Sequence, residues 1–97
     1  MIRHLVLFKL NEGVSRDEPR VIAAAKASTE LGGVVPEAEF WECAWNITDR
    51  PIAYDFAINS AVADRDALQR YLDHPAHQAC TAQWREFATW VIADYEF

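Results

Sequence analysis

Three histidines carry most of the chemistry available to this chain. His74 and His77 bracket a Pro-Ala pair in the stretch YLDHPAHQAC, close behind Tyr71, and His4 sits inside the apolar opening MIRHLVLFKL. A Tyr hydroxyl and one or two imidazoles in an apolar cleft are tools for proton transfer. Imidazole titrates near neutral pH; desolvated and neutral, it acts as a base while a phenol donates to a developing oxyanion. On that reading His77 is the general base, Tyr71 polarises or protonates the oxygen, and His4 orients the substrate or His77. The structural alternative is a buried, hydrogen-bonded histidine that only ties helix to sheet, with His74 a helix cap. A His74/His77 pair at this spacing can also chelate, but no third ligand lies nearby, so neither a metal nor a cofactor is expected. Asp55 and Asp94, each within an otherwise apolar run, could anchor an imidazole or a loop amide, or serve a strand edge.

The elements that must position these residues follow from periodicity. IRHLVLFKL (2–10) reads as a strand with Ile2, His4, Val6, Phe8 and Leu10 on one face and Arg3, Leu5, Leu7 and Lys9 on the other. Leu5 and Leu7 make the second face apolar too, which suits a strand between two layers. Ser15 and Glu18 have capping-box spacing, Pro19 confines a helix start, and RVIAAAKASTEL runs to a stop at Gly32-Gly33. Val21, Ala24, Ala25, Ser28 and Leu31 form its stripe of small or apolar residues. Residues 39–47 alternate, with Trp41, Cys43, Trp45 and Ile47 on one face, and residues 53–62 alternate again. A short helix over 64–72 has Asp64 as N-cap, and a further helix starts at His74 or Pro75 and runs to Phe87 or Ala88. Its inward stripe is His77, Cys80, Thr81, Trp84 and Phe87, so Trp84 and Phe87 join His4 as candidates for lining a substrate pocket. TWVIADYEF closes the chain as a strand. The order β-α-β-β-α-α-β is that of an α+β, ferredoxin-like protomer with a four-stranded antiparallel sheet.

Composition bounds the rest. Ninety-seven residues fit one domain over 1–97, and a chain of this size hides roughly 65% of its unfolded surface. Yet 52% of the residues are hydrophobic, including four Trp, three Tyr and five Phe. That apolar excess, with a sheet bare on one face, predicts a homodimer. A net charge of −6 without any Lys/Arg block argues against nucleic-acid binding. No apolar run reaches the ~18 residues of a membrane span, and no signal-peptide layout opens the chain, so the expected compartment is the cytoplasm. Cys43 and Cys80 are in no metal spacing and read as two buried thiols, although spacing alone leaves a disulfide open.

The opening strand, YDFAI, ALQRYLDHPAH and the closing ADYEF together resemble the stress-responsive α/β-barrel (Dabb) family, in order and without insertion. The resemblance implies a ferredoxin-like protomer and a homodimer whose sheets form a barrel ringed by helices. It assigns no activity to most members. In the olivetolic acid cyclase type, a cofactor-free polyketide cyclase that performs an intramolecular aldol condensation, the catalytic tyrosine and histidine match Tyr71 and His77, and a further pocket histidine matches His4. The implied ligand is a small apolar or aromatic molecule. A non-catalytic structural or stress-associated dimer is the alternative, and a heme-handling or cofactor-free monooxygenase a third reading by fold analogy.

Overall fold

A computed structural model describes every residue, Met1–Phe97. The order is β1 (Ile2–Leu10), α1 (Pro19–Leu31), β2 (Phe40–Trp45), β3 (Phe56–Val62), α2 (Arg65–Asp73), α3 (Pro75–Arg85) and β4 (Ala88–Glu96). All strand pairs are antiparallel, in the spatial order β2-β3-β1-β4. This is the ferredoxin-like β-α-β-β-α-α-β arrangement. No helix is long and apolar enough to cross a membrane.

Register explains the layering. Three cross-strand rows face the helices: Trp41–Ser60–His4–Asp94, Cys43–Ile58–Val6–Ile92 and Trp45–Phe56–Phe8–Trp90. The last two rows, apart from the exposed Ile92, with Val21, Ala24 and Ala25 of α1 and Trp84 and Phe87 above them, make the larger core. A smaller core joins Ile2, Leu31, Val62, Ala67, Tyr71 and Cys80. The small side chains of α1 let it approach the sheet closely. Ser28, fully buried, accepts from Trp84 Nε1–H through its hydroxyl (2.8 Å) and from Trp41 Nε1–H through its carbonyl (3.0 Å). The opposite sheet face carries Leu5, Leu7, Phe40, Val91 and Tyr95 with no layer over it; Leu7 is 42% exposed.

Local signals differ from expectation at a few points. The Ser15/Glu18 pair does not cap α1: Glu18 Oε2 accepts from Ser15 N–H, and Ser15 Oγ accepts from Asp17 N–H, closing a turn ahead of the helix. Glu18 is itself the N-cap, with no side-chain cap bond, because Pro19 opens the helix. Asp64 does cap α2, accepting from Ala67 N–H at 2.8 Å. Ile47 is not a core-facing strand residue: β2 stops at Trp45, and Ile47 is 95% exposed. α3 stops at Arg85, short of Phe87, with Glu86 as its C-cap. Both cysteines are free thiols.

Candidate functional site

The first sheet row and the α2–α3 junction build the site. His4 enters from β1 at the centre of the row and is 2% exposed. Its Nδ1–H donates to Asp94, the residue opposite it on β4, and the Ser60 hydroxyl donates to the His4 carbonyl at 3.2 Å. Asp94 therefore anchors an imidazole, while Asp55 holds not a loop amide but the last amide of β1, accepting from Leu10 N–H at 2.8 Å. A carboxylate on Nδ1 fixes the His4 tautomer and leaves Nε2 as its second polar atom.

Tyr71, in the last turn of α2, lies over this row. Its ring stands edge-on to His4 (centroids 5.4 Å apart), to Trp41 (5.5 Å) and to His77 (4.9 Å). His4, Tyr71 and His77 thus run as a file from β1 to α3. Desolvation holds the Tyr71 phenol well above its usual range, with the neighbouring thiols of Cys43 and Cys80 adding to it and Ser60 opposing. The group stays a protonated donor.

Pro75 positions His77. It allows the chain to leave α2 and restart as α3 at once, with His74 between them capping the new helix: His74 Nδ1 accepts from Ala76 N–H at 3.0 Å. One turn on, His77 reaches back to the Leu72 carbonyl (2.9 Å). A carbonyl only accepts, so His77 Nδ1 carries the proton and Nε2 keeps a lone pair in the neutral ring. Desolvation lowers the His77 pKa, helped by His4 and His74 nearby and opposed by the bond to Leu72. Imidazole and phenol are both held neutral.

These groups border a cavity of about 250 Å³ between sheet and helices. Its floor includes Val6, Phe8, Trp90 and Ile92, its roof His77, Thr81 and Trp84. Of the five site residues expected from sequence, His4, Tyr71, His77 and Trp84 meet here. Trp84 is a wall fixed by Ser28 and by stacking on Phe8 (4.1 Å). Phe87 lies behind it, outside the cavity, because the helix ends before the inward stripe can extend that far. Sequence reasoning passed over Arg85, which also borders the cavity. Its spacing of four from Thr81 continues the His77–Thr81 stripe; its charge is what excluded it from an apolar pattern. No group of three or more His, Cys, Asp or Glu is gathered anywhere in the chain to hold a metal.

The fold and the site define a ferredoxin-like protein with a partly open pocket on the helical face of its sheet. The model of the Dabb family, the stress responsive A/B barrel domain, matches residues 2–97, and the chain belongs to that family. It is 76% identical, over the full length of both chains, to an uncharacterized protein of Streptomyces coelicolor. Among solved structures, a dimeric ferredoxin-like protein of unknown function from Thermobifida fusca has a TM-score of 0.86 at 27% identity, covering 99% of this chain and 90% of that one. A hydroxynitrile lyase from Passiflora edulis has a TM-score of 0.80 at 15% identity, covering 97% and 90%.

Proposed function

We propose that this protein binds a small apolar carbonyl compound beside Tyr71 and His77 and moves a proton on it without a cofactor. The observation that carries this reading is the file His4–Tyr71–His77 at the polar end of an otherwise apolar cavity, with the Nδ1–H of His77 committed to Leu72. His77 Nε2 removes a proton from the carbon next to the carbonyl. The C–H electron pair becomes the C=C bond of an enolate, whose oxygen accepts a hydrogen bond from the Tyr71 O–H. The proton, now on His77, exchanges with solvent, and His77 returns a proton to the product. His4, held by Asp94, keeps the Tyr71 ring in place. Such a base is worth ~10²–10⁴-fold in rate. The pocket lies below the ~300–1,000 Å³ usual for drug-sized ligands, so the substrate is small. An aldol-type ring closure, as in polyketide cyclases, is one outcome of this enolate chemistry.

We further propose a homodimer, each protomer a single domain over residues 1–97, joined through the uncovered sheet face. The apolar side chains exposed there support it, as does the dimeric state named for the Thermobifida fusca relative. Two free thiols fit a reducing compartment, and we assign the protein to the cytoplasm.

A second reading has one observation in its favour. His77 and Gln78 both bond the Leu72 carbonyl, tying the start of α3 to the end of α2, which is a purely structural task. A thermal-shift screen with small aromatic ketones, run on the wild type and on His77→Ala, separates the two. A ligand at 100 times its Kd adds about 2.7 kcal/mol. Shifts in the wild type that vanish in the variant support the pocket reading. Melting that no ligand shifts in either protein, with only a lower Tm in the variant, supports the structural dimer.

A further inference from the structure

The cavity has two unlike ends. At one end stand His4, Tyr71 and His77; at the other stand Arg85 and Trp90, with apolar side chains between. Two independent measures give the distance between the ends. His77 and Arg85 are eight residues apart on α3, about 12 Å at 1.5 Å per residue. Asp94, paired with His4, and Trp90 are four residues apart on β4, about 13 Å.

Arg85 is the one permanently charged residue on the cavity wall, and it is positive in a chain of net charge −6. Its guanidinium lies 5.5 Å from the Trp90 ring and has neither a carboxylate within salt-bridge distance nor a hydrogen-bond acceptor. Arg85 is exposed on the last turn of α3, so its unpaired guanidinium is free to meet an anion at this end of the cavity. The carboxyl group near the cavity, Asp94, is taken up by His4.

We propose that the ligand is an elongated small apolar acid, its carboxylate held by Arg85 at the mouth and its carbonyl end reaching Tyr71. This assignment rests on the pocket reading above and adds the ligand's charge and orientation. The role left to Arg85 without it, at the last turn of α3, is favourable interaction with the helix dipole.

Calorimetric titration of 4-(4-acetylphenyl)butanoate, whose ketone and carboxylate stand at opposite ends, and of its neutral amide, into wild type, Arg85→Gln and Arg85→Lys tests it. The acid is expected to bind about tenfold to a hundredfold more weakly to Arg85→Gln, the loss expected for one charged hydrogen-bonding partner. Arg85→Lys recovers part of the loss, and amide affinity stays the same in all three proteins. If acid and amide bind the wild type equally, and Arg85→Gln changes neither, the anion assignment is wrong while the pocket reading stands. Binding of neither compound, in any of the three proteins, overturns both.

Discussion

Burial moves the pKa of Tyr71 up and that of His77 down, so one cause leaves both groups neutral at physiological pH. The consequence is testable as stability. An imidazole whose folded pKa lies below its ordinary value of about 6.5 binds fewer protons folded than unfolded, so stability falls as pH drops below that value and is unaffected above it. A phenol raised by burial works the other way: stability holds below pH ~10 and declines above it. Denaturant melts from pH 4.5 to 7.5 are therefore expected to show a steeper acid-side loss in the wild type than in His77→Gln, and parallel curves would exclude a desolvated His77. The Tyr–His pair was legible in sequence because its members are local, on adjoining helix ends. The His4–Asp94 bond was legible only as a suspicion, since strand register over most of the chain decides it. Arg85 was hidden by its charge.

Among the elements, α1 shows how tightly the helix layer is fitted. A Cβ on Gly32, the C-cap of α1, would collide with Cβ and Cγ of Trp41, whose indole is held by the Ser28 carbonyl and faces Tyr71. Gly32→Ala is expected to cost about 1–3 kcal/mol, as overpacking does, and to weaken ligand binding through Trp41 and Tyr71. Chemical denaturation checks the first, and a wild-type-like midpoint would mean that Trp41 can move aside freely. Element order and the His74 cap followed from Pro, Asp and apolar spacing. Element ends did not: the helical stripe ran on to Phe87, and the β2 alternation to Ile47, because a periodic pattern carries no mark of where hydrogen bonding stops.

For the whole molecule, the sheet has one face under helices and one bare. Leu7 and Val91 pair at the middle of the bare face and are 42% and 48% exposed. A dimer joined there predicts that Leu7→Lys sediments as a monomer while keeping its helix-side core, since Leu7 does not touch the cavity. A monomeric wild type at micromolar concentration would remove this interface. The two-sided apolarity of β1 was already visible in Leu5 and Leu7, but which copy or partner covers it is decided outside a single chain.

The most direct test of the central claim is exchange of the methyl protons of acetophenone in deuterated buffer, followed by proton NMR with wild type, His77→Ala and Tyr71→Phe. Proton transfer in this cavity predicts protein-dependent deuteration that falls at least a hundredfold in His77→Ala and substantially in Tyr71→Phe. Deuteration at the buffer rate with all three proteins, under conditions where the wild type binds the ketone, would contradict it and leave the three residues a binding and packing role.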